Sequence, residues 1–324
     1  MSFLKAIRLG FRRLRAAPRL LLALWLTNLA VALPAAWAMD SLLRDAIGAS
    51  LVHESLRAGF DMDWFWTFRT QARGLGTSFK PTLVGAGAFY ENLEGWVTGE
   101  MFTAFSGIVG LGLLYALLWG FLLGGALERL ARPAGALSPA EFAGACGRYF
   151  FRFLRLGLIG LVPYLAVYLL SRWGYGRLAS LTRDVTRERA VLALSLLFMA
   201  STAFLLILVH MVIDYARIAT VVEGHRDMLR ACLRGLGFVL AHPLRTLGIY
   251  YGLALVSAAL LLLYALLAPG AGPSSAAGVA LAFLAGQLFL LARLAVRLTL
   301  LAGQTVLFQT TAGVDGGLGP PPIR

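Results

Sequence analysis

The sequence is poor in charged residues. Asp, Glu, Lys and Arg make up 14% of its 324 residues, while hydrophobic residues make up 59%. A water-soluble domain carries roughly 25% charged residues, because its surface must be solvated. So few charges cannot cover a chain of this length in water, which excludes a fully water-soluble protein. Lipid must therefore face much of its surface.

Cysteine and histidine are also scarce, with two and four residues. Cys146 and Cys232 fall in segments that we place on the cytoplasmic side, where thiols stay reduced, which argues against a disulfide. Without histidines beside them they also make a poor zinc site. The motifs Gly-x-Ser-x-Gly, Walker A and His-Glu-x-x-His do not occur in the sequence. We therefore predict no catalytic site, no metal site and no cofactor.

The charge that is present is mostly positive, with a formal net charge of +13. A basic chain can bind nucleic acid, but here the basic residues lie between apolar runs and form no separate basic domain. This arrangement suits the anionic headgroups of a membrane better. We expect membrane lipids as partners, and no nucleic acid.

Six apolar runs are long enough to cross a bilayer as helices, which takes about 20 residues. They cover residues 20–38, 103–127, 153–171, 190–213, 246–268 and 276–300. The residues before the first run include one lysine and five arginines but no acid, so the positive-inside rule predicts a cytoplasmic N-terminus. Segment 39–101 holds eight acids against five bases and is predicted to be extracytoplasmic.

Two features conflict with this topology. Segment 172–189 should lie outside, yet it carries five arginines that Asp184 and Glu188 offset only in part. Residues 1–38 also resemble a cleavable signal peptide, since a basic start and an apolar stretch precede Ala36-Trp37-Ala38. An uncleaved first span is favoured, because the basic segment before it recurs later in the chain.

Basic segments with a shared pattern precede spans one, three and five. Residues 4–18 align with 229–243 without a gap and match at alanine, glycine and proline positions. Residues 141–148 align with 227–234 and share an Ala-Cys pair and an arginine. We interpret each segment as an amphipathic helix in the inner interface, followed by one span going out and one returning. Chance similarity between apolar segments is the alternative.

Residues 214–247 read DYARIATVVEGHRDMLRACLRGLGFVLAHPLRTL. This stretch and the three-unit layout resemble a broad, poorly characterised set of bacterial six-helix integral membrane proteins. That set includes the membrane domain associated with some glycerophosphodiester phosphodiesterases. The resemblance implies a multi-pass protein of the bacterial plasma (inner) membrane and supplies no activity. The catalytic barrel of those phosphodiesterases has no counterpart in this sequence.

Few polar side chains fall within the spans. His210, Asp214 and Arg217 can share one helix face at the inner end of span four. They could form a proton or ion relay, but their position near the interface favours a structural cap that neutralises charge. Asn28 and Gln287 lie at mid-membrane depth, where interhelical hydrogen bonds are favoured over the lining of a substrate cavity.

The remaining candidates concern packing and segment 39–101. Small residues in span two predict a packing seam: Ala116, Gly120 and Gly124. Residues 41–58 predict a short amphipathic helix. Aromatic residues predict an interfacial belt, with a ligand-gripping loop as the alternative: Trp64, Phe65, Trp66, Trp96 and Phe102. The nearby His53, Glu54, Asp61 and Asp63 could ligate a cation, but their spacing fits no known metal-binding pattern. Residues 312–324 should be disordered.

The sequence thus predicts an all-α, polytopic transmembrane bundle over residues 1–311. Its six spans form three hairpins, each introduced by a cytoplasmic interfacial helix. The predicted contacts with anionic lipid are Arg12, Arg13, Arg148, Arg230 and Arg234. We expect a non-enzymatic scaffold or accessory protein that interacts with lipid, with a protein partner or with a second copy of itself. A small-solute or lipid transporter is the competing hypothesis, and an intramembrane enzyme ranks third.

Overall fold

The computed structural model describes residues 1–48, 60–79, 106–132, 137–183, 187–267 and 275–313. Regular structure in these ranges is entirely helical, which confirms the predicted all-α class. The helices are α1 (Phe3–Arg15), α2 (Pro18–Gly48), α3 (Met62–Gln71), α4 (Ser106–Ala131), α5 (Pro139–Thr182), α6 (Glu188–Val222), α7 (Met228–Ala241), α8 (Pro243–Leu267) and α9 (Ala276–Ala312), with a short 3-10 helix at Gly74–Ser78.

Six of the described helices are long and apolar enough to cross a membrane, namely α2, α4, α5, α6, α8 and α9. Four of them contain a predicted run in full, and α4 and α8 contain the described parts of runs 103–127 and 246–268. Many of their large apolar side chains are exposed, including Trp37, Val162 and Leu255. Water would penalise so much exposed hydrocarbon, whereas lipid does not. The chain is a multi-pass membrane protein.

Several helices run past the ends of the predicted spans. Of the amphipathic helix predicted over residues 41–58, residues 41–48 continue α2, and residues 49–58 lie outside the described residues. Helix α5 joins the basic segment before span three to the span itself and extends to Thr182. It contains Pro163, but membrane helices tolerate proline because their neighbours can satisfy the backbone group that it frees.

Two of the breaks between consecutive helices occur where a proline begins the second helix. Helix α1 ends at Arg15 and α2 begins at Pro18, and α7 ends at Ala241 before α8 begins at Pro243. Proline suits the first turn of a helix, because the N–H that it lacks has no intrahelical partner there. Helix α9 ends at Ala312, the first residue of the tail 312–324 that the sequence predicts to be disordered, and residues 314–324 lie outside the described residues.

The described residues divide into two compact units. The first consists of Met1–Ala16, Gly120–Tyr250 and Thr299–Arg324, and the second of Ala17–Trp119 and Tyr251–Leu298. The prediction of one domain over residues 1–311 stays a prediction.

In the first unit, three basic segments each pack on a long helix. We call α1, residues 139–155 of α5, and α7 the lead-in segments, and α9, α4 and α6 their support helices. Helix α1 approaches Thr299 and Gly303 of α9 at Gly10, and α7 approaches Val212 and Ala216 of α6 at Gly235. Both glycines are buried. These contacts join backbone to backbone, so only glycine fits at either position.

The start of α5 packs on α4 through a different glycine pair. A Cβ at Gly124 would lie 2.9 Å from the Cβ of Tyr149, and one at Gly125 would lie 2.7 Å from the Sγ of Cys146. Of the three residues in the packing seam predicted for span two, Gly124 therefore packs against a neighbouring helix, α5. A Cβ at Gly120 would meet nothing within 4 Å among the described residues, and Ala116 is exposed.

In the second unit, α3 closes against the end of α2. Trp64, Phe65 and Phe68 form a buried aromatic cluster, with Leu43 and Phe79 packed against it. Asp61 begins the helix, since its side chain accepts hydrogen bonds from the amides of residues 63 and 64. Two members of the predicted aromatic belt thus point into a local core.

Candidate functional site

An ionisable cluster centres on the buried carboxylate of Asp214 in α6. The residue is 4% exposed. Arg217 donates a hydrogen bond from Nη1 to Oδ1 of Asp214 at 3.0 Å, and Nε2 of His210 lies 3.5 Å from Oδ2. Residues three and four positions apart on a helix are neighbours, which explains why the three meet on one face. The structure thus brings all three residues of the predicted group together.

Two tyrosines from other helices complete the cluster. The hydroxyl of Tyr164 in α5 lies 3.1 Å from Nδ1 of His210, and the ring of Tyr250 in α8 meets the His210 ring edge-on. His210 thus links Tyr164 to Asp214 through its two ring nitrogens. This chain of exchangeable groups has the connectivity of a proton relay. It also compensates a buried carboxylate, which is costly in a low-dielectric interior without a partner.

A second buried carboxylate, Glu128 in α4, was missed in the sequence analysis. It is 4% exposed. Arg132 in the following segment contacts Oε1 at 2.7 Å, and Arg148 in the lead-in of α5 lies 3.6 Å from Oε2. The contact between Glu128 and Arg148 therefore connects the support helix α4 to its lead-in segment.

The residue spacing within the repeat predicts the position of Glu128. Glu141 and Asp227 are matched positions in the aligned lead-in segments. Glu128 precedes Glu141 by thirteen residues, and Asp214 precedes Asp227 by the same number. The two buried acids thus occupy equivalent places on α4 and α6.

A third carboxylate, Glu223, lies where α6 meets α7. Arg234 donates to Oε1 of Glu223 from Nη2 at 2.9 Å and from Nε at 3.1 Å, and Nε2 of His225 lies 2.7 Å from Oε2. Partial burial raises the pKa of Glu223, but the hydrogen bonds from Arg234 and His225 outweigh it and hold that pKa below its ordinary value. Hydrogen bonding to Glu223 in turn raises the pKa of Arg234. This ion pair fixes the turn between the two helices.

The five predicted lipid contacts have different surroundings. Arg12 and Arg230 are exposed, although Nε of Arg230 lies 3.4 Å from Oδ2 of Asp227. Arg148 is half-exposed beside Glu128. Arg234 is engaged with Glu223, and its guanidinium carbon also lies 5.7 Å from the centre of the Phe308 ring. Contact with lipid stays a prediction for all of them.

The fifth, Arg13, makes an internal connection. Its Nη1 donates to the carbonyl oxygen of Leu130 and to Oε1 of Gln309, both at 2.8 Å. Nε2 of Gln309 in turn donates to the carbonyl of Ala131 at 2.9 Å. The last carbonyls of a helix have no intrahelical partner. Arg13 and Gln309 therefore cap the end of α4.

The side-chain amides of Asn28 and Gln287, both in the second unit, bind neighbouring helices. The hydroxyl of Tyr115 donates to Oδ1 of Asn28 at 2.6 Å, and Nδ2 of Asn28 donates to the carbonyl of Leu24. Nε1 of Trp25 donates to Oε1 of Gln287 at 3.0 Å. Each amide oxygen thus has a partner on another helix.

Of the four candidate cation ligands, the structure describes Asp61 and Asp63. Asp61 caps α3, and no group of three potential metal ligands occurs within the ranges that the structure covers. His53, Glu54, Trp96 and Phe102 lie outside the described residues. Trp66 is exposed, unlike its buried neighbours Trp64 and Phe65.

Carboxylates paired with arginine thus stand near the ends of both α4 and α6. These pairs neutralise charge where lead-in segments join the spans, and the Asp214 cluster adds groups that can exchange protons. No family model, no curated protein and no solved structure matches this chain.

Proposed function

We propose that the protein is a non-enzymatic membrane scaffold whose lead-in segments lie in the inner interface and bind anionic lipid. In this proposal the N-terminus is cytoplasmic, the membrane is the plasma membrane of a bacterium, and the six spans form three hairpins. The observation that carries the proposal is the surface of α7, which has three distinct faces.

The first face of α7 packs on protein through Ala231, Gly235 and Phe238. The second face carries leucines that point away from the protein, at Leu229, Leu233, Leu236 and Leu240, the last being 69% exposed. Four leucines on one exposed stripe would be unfavourable in water, since burying each is worth about 1.5–3 kcal/mol. Hydrocarbon is the surrounding that suits them.

The third face of α7 is basic and flanks the leucine stripe. Arg230 and Arg234 lie there, about one-quarter turn beyond the leucines at 100° per residue. A helix that rests in the interface needs one apolar side for the acyl chains and one cationic side for the headgroups. Helix α1 also has these two sides, because exposed Leu4 and Phe11 form an apolar side and Arg8 and Arg12 lie beside it.

The shared geometry of α1 and α7 supports their origin as copies of one unit. The matched residues Gly10 and Gly235 both approach the backbone of a support helix, with the nearest atom 2.6 Å from an added Cβ. The preceding matched residues, Ala6 and Ala231, are both fully buried. Chance similarity of apolar sequence would not be expected to reproduce the same contacts.

Lipid binding is tested on purified protein in a neutral detergent, by counting bound lipids with native mass spectrometry. We expect Arg12→Gln with Arg230→Gln to reduce binding of phosphatidylglycerol and to leave phosphatidylcholine unchanged. Arg44→Gln is the matched control, because Arg44 is equally exposed but belongs to α2. Unchanged phosphatidylglycerol binding in the double variant would refute the proposal.

A proton-coupled transporter is the second candidate, and the Tyr164–His210–Asp214 chain is the observation that favours it. The amides of Asn28 and Gln287 argue against an open substrate path, because their oxygens already bind other helices. Reconstituted vesicles separate the two functions. A transporter would carry solute in a manner that His210→Gln abolishes, whereas a scaffold would show no flux.

A further inference from the structure

The end of α5 remote from its lead-in segment carries two exposed arginines, Arg172 and Arg177. Among the described residues, neither forms an ion pair with an acid. The guanidinium carbon of Arg177 lies 5.6 Å from the centre of the Trp173 ring. By contrast, three other arginines each contact a carboxylate: Arg132 contacts Glu128, Arg217 contacts Asp214 and Arg234 contacts Glu223.

These arginines are placed at the depth of lipid headgroups. Residues 156–171 contain no charge. At 1.5 Å per residue, Arg155 and Arg172 are separated by about 26 Å along the helix. The hydrocarbon core of a bilayer is about 30 Å thick, so one arginine at each end reaches a headgroup layer. Arg172 and Arg177 therefore lie at the leaflet opposite the lead-in segment.

A shallow, open groove lies beside the arginines on the surface of α5. It is lined by Leu169, Arg172, Trp173, Gly176 and Arg177. These positions recur at spacings of three and four, which places them on one side of the helix. Gly176 leaves room between the two arginines, because it carries no side chain.

The face below the groove is apolar and open. Val162 and Leu165 lie on the same side of α5 as Leu169, and all three side chains are more than half exposed. A molecule with a phosphate at the groove could lay a hydrocarbon chain along this stripe. Arginine suits the phosphate, since its planar group donates two parallel hydrogen bonds.

We propose that Arg172, Trp173 and Arg177 form a second binding site, specific for an anionic phospholipid of the leaflet opposite the lead-in segments. The phosphate binds between the two guanidinium groups, Trp173 packs beside the glycerol region, and one acyl chain follows Leu169, Leu165 and Val162. This site goes beyond the proposed function, which concerns the lead-in segments alone. It also gives a role to the arginines that conflict with the positive-inside rule.

The test measures the affinity of purified protein for phosphatidylglycerol in neutral detergent. We expect Arg172→Gln with Arg177→Gln to weaken one class of bound lipid by about tenfold or more, as the loss of charge-assisted hydrogen bonds predicts. Arg172→Lys with Arg177→Lys keeps the charge but not the paired donors, and should lose part of the affinity. Equal affinity of the wild type and the glutamine variant would overturn the proposal.

A local measurement shows whether the lost lipid had bound at this groove. Phosphatidylglycerol with bromine on its acyl chain should quench tryptophan fluorescence, and the quenching that Trp173→Phe removes reports this site among the seven tryptophans. Equal quenching by brominated phosphatidylcholine, or full displacement by inorganic phosphate, would overturn specificity for an anionic lipid. Persistence of this quenching in Arg12→Gln with Arg230→Gln separates the site from the lead-in segments.

Discussion

Replacing Gly235 with alanine tests the packing of α7 on α6. A Cβ at Gly235 would lie 2.6 Å from the carbonyl oxygen of Val212 and 2.8 Å from the amide nitrogen of Ala216. Both atoms belong to the backbone of a helix, so neither can move aside as the end of a side chain can. Helix α7 would have to shift away from α6 to accommodate one methyl group.

The size of the effect follows from a control on the same helix. A Cβ at Gly237 would meet nothing within 4 Å. Both substitutions gain about 1 kcal/mol of helix propensity, because alanine replaces glycine inside a helix. The difference between the variants is therefore the cost of overpacking, roughly 1–3 kcal/mol. At roughly 2–4 °C per kcal/mol in domains of 150–250 residues, the melting temperatures should differ by several degrees.

Two assays measure this difference in detergent. Scanning fluorimetry gives the melting temperature, and alkylation of Cys232 in a Cys146→Ala background reports local opening of α7. Cys232 packs against the cluster of Leu156 and its neighbours, and burial raises the pKa of its thiol, so its reaction should be slow. We expect Gly235→Ala to melt earlier and react faster than Gly237→Ala. Equal values for both variants would refute the contact.

The buried ion pairs give two further predictions. Arg217→Leu should destabilise the protein by about 3–5 kcal/mol, because it leaves Asp214 buried with His210 alone. The double variant Asp214→Leu with Arg217→Leu should recover part of that loss, and a double variant as unstable as the single one would contradict an ion pair. Because the pKa of Glu223 is lowered, its pair with Arg234 stabilises the fold above the ordinary carboxyl pKa of about 4.3. This stabilisation should be lost as the pH falls through the lower folded-state value, and Arg234→Gln should make unfolding less sensitive to that change.

Apolar length alone predicted the six long helices, because a bilayer core accepts only segments that satisfy their own backbone. The breaks after α1 and α7 likewise coincide with the prolines at 18 and 243. Both signals are local, since each depends on the composition or the chemistry of a short stretch. Their agreement with the structure therefore requires no knowledge of which helices touch.

Partners on other helices could not be predicted in the same way. Arg13 is basic and precedes a span, a pattern that predicts contact with lipid but gives no sign of its hydrogen bonds to Gln309 and to the end of α4. The aromatic pattern around Trp64 and Phe65 predicts an interfacial belt, yet both side chains are buried against Leu43. Composition shows that such side chains need a partner or an apolar surrounding, and only the tertiary contacts decide which one.

One lead-in segment, α1, has no acid in itself or in the part of α9 on which it packs. Anionic lipid should therefore matter most at α1. Val212 and Ala216 face Gly235 as Thr299 and Gly303 face Gly10, so Leu301 occupies on α9 the place of Asp214 on α6. Neither α1 nor residues 299–312 contain a carboxylate to offset the arginines of α1.

Lipid phosphate would then have to supply the countercharge of α1, whereas Arg230 of α7 has Asp227 close by. We expect Arg12→Gln alone to reduce binding of phosphatidylglycerol more than Arg230→Gln alone, as counted by native mass spectrometry. An equal or reversed order would show that the countercharge comes from elsewhere. In that case, the positions of acidic residues within the protein would not determine which arginines bind anionic lipid.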